Sequence, residues 1–160
     1  MLVVGNPEIF NIRQEYQLPP RVAQKVQFCS YIRKQLGRKS PNLIRSELRL
    51  NPEKQLILVT LGGGEDGYRL IDTYLSSLVL LPASHKLRSL IICSPEMPLE
   101  HQAALKLKAA VYPQVQIDEF TDDLMSYIAV ADAVVAMSGY NTTWEILSVG
   151  KQASSSSNQN

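Results

Sequence analysis

Ala133-Val134-Val135-Ala136-Met137-Ser138-Gly139-Tyr140-Asn141-Thr142-Thr143-Trp144-Glu145-Ile146-Leu147-Ser148-Val149-Gly150-Lys151 is the stretch that decides the fold. Five apolar residues run into a small, polar octapeptide, Ser138 to Glu145. A helical pattern of Trp144, Ile146, Leu147 and Val149 follows and stops at Gly150. That is a strand, a tight loop and a helix N-terminus, the place where α/β proteins bind phosphorylated ligands. Ser138, Asn141, Thr142 and Thr143 bring hydroxyl and amide groups to the point where a helix has unpaired N–H donors. Glu145 stands one turn in, placed to accept hydrogen bonds from a ligand's hydroxyls. The residues alone leave two readings open, an anion site and a well-capped helix.

Upstream the same unit recurs. Leu56-Ile57-Leu58-Val59-Thr60-Leu61 is a continuous apolar run, as expected of a parallel strand covered on both faces. The loop Gly62-Gly63-Gly64-Glu65-Asp66-Gly67 leads to a helical stripe of Leu70, Ile71, Tyr74, Leu75, Leu78, Val79 and Leu81. Leu90-Ile91-Ile92-Cys93 is a second strand, and a helix started by Pro95 or Pro98 runs through Ala103, Ala104, Leu107 and Ala110. Val115 to Phe120 is a third strand, half polar. Thr121-Asp122-Asp123 then caps a helix carrying Leu124, Met125, Ile128 and Ala129. Strands alternating with helices four times over predict an α/β fold, a Rossmann-like open parallel sheet with helices on both faces.

The first third reads differently. Leu2-Val3-Val4-Gly5 is a short strand, Pro7 opens a helical turn through Glu8-Ile9-Phe10, and Leu18-Pro19-Pro20 breaks what precedes it. Val26, Phe28 and Ser30 alternate as in a strand. Arg33 to Pro41 is basic and reads as a linker; Ser40 or Asn42 then starts a helix through Leu43, Ile44, Leu48 and Leu50 that ends near Asn51-Pro52. At the other end, residues 154–160 are low-complexity and predict a disordered tail that cannot pack. A doubly wound sheet calls for another strand there, so the expectation is a truncated domain.

Composition narrows the class. The 160 residues, 45% apolar and 19% charged, fit one soluble globular domain. No apolar run approaches the roughly 20 residues of a membrane span, and Met1-Leu2-Val3-Val4-Gly5 is not expected to be a signal peptide. Cys29 and Cys93 stand far apart in apolar contexts, which predicts free thiols in a reducing cytoplasm. Residues 1–50 hold nine Lys/Arg against three Glu. That basic third suits either a solvated linker or a membrane surface or other anionic partner. No aromatics interleave with the charges, so a nucleic-acid platform is not expected.

Gly62 to Gly67 formally satisfies G-x-G-x-x-G. A dinucleotide site also needs an acidic residue about 20 positions on, at the end of the second strand; the nearest acid beyond that strand is Glu96, and Glu65 and Asp66 would put negative charge into a pyrophosphate cradle. An NAD(P)-dependent oxidoreductase is thus the weaker alternative, and a tight strand-to-helix turn the structural one. His85 and His101 read as surface residues, no His/Cys/carboxylate cluster has metal-ligand spacing, and no cofactor is expected. Asp122 and Asp123 could serve as paired carboxylates, but at a helix start capping and dipole compensation explain them. Trp144 suits the core. No catalytic dyad is visible.

Taken together, strand, Gly-Gly-Gly loop, Glu-Phe-Thr-Asp-Asp-Leu-Met, Ala-Asp, apolar strand, Ser-Gly-x-x-Thr-x-x-Glu and Gly-Lys form a pattern. It resembles the C-terminal, nucleotide-sugar-binding half of family 28 glycosyltransferases over about residues 55–153. That group includes the N-acetylglucosaminyltransferase of lipid II synthesis and the diacylglycerol glycosyltransferases. The spacing from Ser138 through Thr142 and Glu145 to Gly150-Lys151 agrees without gaps.

The resemblance implies the C-terminal half of a GT-B fold and an inverting transfer from a UDP-sugar, UDP-GlcNAc-like, to a hydroxyl acceptor without a metal in the site. It places Gly62, Gly63 and Gly64 by the pyrophosphate or the acceptor, Phe120 and Thr121 at the base, and Met125 at the base-pocket wall. Ser138, Gly139 and Thr142 fall at the phosphates with the helix N-terminus, Asn141 within the same nucleotide-sugar site, and Glu145 on the ribose diol. It leaves the catalytic base unassigned. Departures are the Gln152 that stands where the family has Pro, and the missing next strand with its acidic/Gln pair. The resulting expectation is residues 1–32 as a remnant of the acceptor half and hinge, 33–54 as a basic linker and helix, 55–153 as an incomplete donor domain, and 154–160 as the tail. Such a chain is expected to be inactive alone and cytoplasmic. It is also expected to need the missing acceptor half or a partner subunit, with peripheral contact to the inner membrane face through basic residues 21–49. A non-catalytic nucleotide-binding remnant is the alternative.

Overall fold

The computed structural model describes residues 1–8, 10–29, 37–61, 67–81, 86–137 and 146, and the backbone of 152–156. The chain divides into two units, Met1–Lys34 and Gln35–Asn160.

In the first unit, β1 (Leu2–Val4) and β2 (Gln27–Cys29) pair in parallel with Val3 opposite Phe28. Two single-turn helices lie between them in sequence, α1 (Ile12–Glu15) and α2 (Pro20–Ala23). At the turn expected around Glu8 to Phe10, Asn6 accepts the Glu8 N–H on its side chain at 3.0 Å and the Phe10 N–H on its carbonyl at 3.1 Å; the helix itself starts later, where the Asn11 side chain accepts the Arg13 N–H. Pro20 opens α2 at the position where a missing N–H costs nothing. The Arg13 guanidinium donates to the Val26 carbonyl at 2.5 Å and lies 5.2 Å from the centre of the Phe28 ring.

The second unit runs α3 (Pro41–Glu47), β3 (Gln55–Thr60), α4 (Gly67–Ser77) with a 3₁₀ turn at Leu78–Leu80, and β4 (Leu87–Ile92). It continues with α5 (Leu99–Ala109), β5 (Val115–Asp118), α6 (Leu124–Val130), β6 (Ala133–Met137) and β7 (Gln152–Ser156). The sheet order is β5-β4-β3-β6-β7, every pair parallel. From β3 the chain steps outward twice in one direction and then returns to step outward on the other side.

Side chains of the central strands alternate between two cores, as the period of two demands. Leu56, Leu58, Leu90, Ile92, Val134 and Ala136 join Ile44 of α3 and Ile128 of α6 on one face. Val59, Ile91 and Cys93 join Ile71 and Leu75 of α4 and Leu105 and Ala109 of α5 on the other. Helices cover both faces, which is why these strands read as unbroken apolar runs.

Two boundaries differ from the sequence expectation. The helix expected from Ser40 or Asn42 is present as α3, with Ile44, Leu48 and Leu50 buried in the first of the two cores; it is its end that differs. Ser40 caps α3 by accepting the Leu43 N–H at 3.3 Å. The helix stops at Glu47, short of Asn51-Pro52, in a Schellman arrangement. There Leu50 N–H reaches the Arg45 carbonyl and Arg49 N–H the Ser46 carbonyl, with Arg49 at φ 51°. The tail that was not expected to pack is also corrected for Ser154–Ser156. These residues belong to β7, in register with β6 from Ala133↔Gln152 to Met137↔Ser156. The edge of β6 offers a row of backbone N–H and C=O groups, and strand pairing satisfies those whatever the side chains. Residues 157–160 lie outside the described ones.

Candidate functional site

The strand order sets the site. β3 and β6 are neighbours that face away from each other in winding, so the switch point of the sheet falls between them, and ligands of such sheets bind outside the carboxyl ends there. Thr60 lies opposite Ala136, so the chain runs on from β3 at Leu61 and from the end of β6 at Met137 side by side. The two candidate loops start at those residues, separated by over seventy positions in sequence and by one strand spacing in the sheet. Gly62, Gly63, Gly64, Ser138, Gly139, Asn141, Thr142 and Glu145 themselves lie outside the described residues. Ile146, next after Glu145, is helical and buried in the core under α3 and α6.

Phe120 and Thr121 leave the same edge of the sheet from β5. Three strand spacings, about 14 Å, separate the ends of β5 and β6, so a ligand touching both loops must be extended along the edge. Phe120 is 61% exposed, an aromatic ring left uncovered at a carboxyl edge. Met125, by contrast, is buried on the inner side of α6 with the core residues Ile44, Leu56 and Ile128. The structure places it in the core.

Between Phe120 and α6, the paired aspartates have separate tasks. Asp122 is exposed and meets Arg38 at 2.7 Å; the hydrogen bond from that guanidinium, then its charge, holds the Asp122 carboxyl below its ordinary range. Asp123 is 7% exposed. Its carboxylate does not cap its own helix but accepts the backbone N–H of Arg38 (3.1 Å) and of Lys39 (3.3 Å) and the Ser126 hydroxyl (2.6 Å). Burial pushes this carboxyl up, yet the Ser126 hydroxyl and the two backbone donors outweigh it and leave it below its ordinary value. Neither carboxyl is poised to carry a proton at neutral pH. The sequence points to Asp123 as a cap or as one of a carboxylate pair, because its backbone partners, the Arg38 and Lys39 N–H groups, lie more than eighty residues away.

At the first loop, Gly67 opens α4 hard against β3. A Cβ at this position would stand 2.3 Å from a Leu61 methyl, so any larger residue here requires the Leu61 side chain to move. At the end of β4, where a dinucleotide site needs its carboxylate, the chain carries buried Cys93 and then Ser94. Burial raises the Cys93 thiol above its ordinary value, with Lys106 opposing. His101 lies against Tyr68, ring centres 4.5 Å apart, beside the start of α4; His85 is outside the described residues. Among the described residues no three His, Cys, Asp or Glu side chains gather to hold a metal ion, and no helix is long and apolar enough to cross a membrane. Of the basic residues 21–49, Arg38 is tied to Asp122 and Lys39 to Glu47 at 2.8 Å.

Residues 56–153 match the family described as the glycosyltransferase family 28 C-terminal domain. Twelve chains of solved structures match as well. One is the crystal structure of WaaG, a glycosyltransferase involved in lipopolysaccharide biosynthesis, with a TM-score of 0.60 and 17% identity. The match covers 96% of this chain and 43% of that one, so the chain spans less than half the length of this relative. At that identity the likeness is one of fold. No curated protein matches the chain.

Proposed function

The chain belongs to the glycosyltransferase family 28 C-terminal domain family, and from that premise we propose that it binds the nucleotide-sugar donor of a glycosyl transfer. One observation carries the proposal. The Gly62 and Ser138 loops leave adjacent strands at the switch point, with exposed Phe120 on the same edge. A base at Phe120 and Thr121 and a diphosphate at Ser138, Gly139, Asn141 and Thr142 make an extended ligand of the kind this edge suits. Glu145 takes the two ribose hydroxyls, and Gly62 to Gly64 approach the diphosphate or the acceptor. The donor is a UDP-sugar of the UDP-GlcNAc type.

In the transfer, an acceptor hydroxyl oxygen bonds to the anomeric carbon from the side opposite the leaving group. The bond to the UDP oxygen breaks, UDP departs with the electron pair, and the acceptor's proton goes to a base. Donors at the helix N-terminus stabilise the departing diphosphate. None of the candidate residues supplies the base, so this chain by itself is not expected to turn over. A cytoplasmic setting, at the membrane face, follows from the same proposal. Contact through basic residues 21–49 is part of the same proposal; Arg38 and Lys39 among them are ion-paired.

Calorimetric titration with UDP, UDP-GlcNAc and NAD tests the proposal. UDP is expected to bind, and Glu145→Ala to weaken it by about 1.5–3 kcal/mol, the worth of a hydrogen bond to a charged group. NAD binding with no response to UDP overturns the proposal. Unchanged affinity in the variant removes Glu145 from the ribose.

A further inference from the structure

The loop that carries Phe120 is braced by a segment from far upstream. Gly37 to Ser40 lies across the first turn of α6, and three residues there hold it. Asp123 accepts the N–H groups of Arg38 and Lys39; Ser126 Oγ accepts the Lys39 N–H at 2.9 Å while donating to Asp123. The Lys39 ammonium reaches the Tyr127 hydroxyl at 3.4 Å and lies 5.6 Å from the ring centre. Gly37 sits so close that a Cβ would stand 2.1 Å from Ser126 Oγ and 2.2 Å from its backbone nitrogen, and a backbone atom cannot step aside. Ser40 anchors the far end of this strap as the cap of α3, whose Ile44 is wholly buried.

Asp123 is also tied forward into the loop: its own N–H donates to Thr121 Oγ1 at 3.1 Å. One residue thus joins the strap, the helix and Thr121, the neighbour of Phe120 on the carboxyl edge. A buried carboxylate with three donors is a costly device for ending a seven-residue helix, since an exposed cap of Ser or Asp satisfies such an end alone. Bracing the loop that presents Phe120 accounts for it.

We infer that Asp123 is a positioning residue for the nucleotide base, holding the Phe120–Thr121 loop through the Gly37–Ser40 strap. It touches no part of the ligand. The inference rests on the nucleotide reading of this edge. A group that fixes the base loop governs discrimination between bases, whereas a group that only stabilises the fold weakens every nucleotide alike.

The experiment is calorimetric titration of the full chain and its Asp123→Asn variant with UDP and with ADP, alongside amide hydrogen exchange at Arg38 and Lys39. Wild type is expected to prefer UDP. The variant is expected to lose about tenfold in UDP affinity, as for one lost charged hydrogen-bonding partner, with ADP affinity nearly unchanged and both amides exchanging faster. Should Asp123→Asn fail to fold, Ser126→Ala removes one donor of the three and carries the same test at a smaller loss. A variant that keeps the wild-type preference for UDP over ADP overturns the inference alone. Equal losses for both nucleotides also overturn it, leaving a structural role. A wild-type chain that binds neither nucleotide overturns the donor proposal, and the inference with it.

Discussion

Replacing Ile44 by Ala decides whether α3 belongs to the fold of the second unit or merely leads into it. Ile44 is wholly buried, sharing a core with Leu48, Leu56, Leu58 and Ile128, while its neighbour Leu43 is 47% exposed. The change removes three carbons. At about 0.8 kcal/mol per buried methylene the transfer loss is roughly 2.5 kcal/mol. The hole left between helix and sheet adds to it, bringing the total to about 3–4 kcal/mol, inside the range of roughly 2–5 kcal/mol for such truncations. Leu43→Ala, half in water already, is expected to cost about 1 kcal/mol by the same area reasoning. Against a total stability of roughly 5–15 kcal/mol, the first is a large fraction and the second a small one. The chain's one tryptophan, Trp144, falls in the second unit, so urea unfolding followed by its fluorescence reports on that unit. The midpoint is expected to fall in Ile44→Ala with the slope unchanged. Equal costs for the two variants, within about 0.5 kcal/mol of each other, would show that α3 holds nothing.

Arg49→Gly is expected to stabilise the same unit by about 0.5–1 kcal/mol, because Arg49 holds the left-handed position that ends α3 and glycine adopts it without steric cost; a lower urea midpoint in the variant refutes this. Asp123 sits below its ordinary value of 3.8 in the folded chain, so between the two values the unfolded chain binds more protons and stability rises with pH. Its contribution is therefore complete above about 3.8 and lost as pH falls through the folded value, and unfolding midpoints of Asp123→Asn should fall less steeply on acidification than those of wild type. Cys93, buried and with its thiol raised, should react with a thiol reagent only on unfolding, while part-exposed Cys29 reacts in the native chain; equal rates without denaturant contradict the placement of β4.

Which parts of this molecule the sequence shows follows from the range of the interactions that make them. Leu56, Leu58 and Val59 declare a doubly covered strand because burial on both faces acts on each residue where it stands. The apolar runs that lead to the two candidate loops, residues 56–60 and Ala133–Met137, were legible for the same local reason. The helix inside the basic segment was legible from its apolar stripe, although cations share it: Arg45 is partly exposed while Ile44 and Leu48, four apart, face inward. Ser154 to Ser156 misled, since strand pairing draws on the backbone and composition says nothing of it. Asp123 is the clearest case. A carboxylate before a helix reads as a cap at any range a sequence pattern can see, and only Arg38 and Lys39, 85 and 84 residues away, make it a clamp. The site inherits this division. Its chemistry is written in short motifs, but its length is written in the strand order. That order sets Phe120 three strands from Met137, where the Ser138 loop starts, and any ligand that touches both ends has to span that distance.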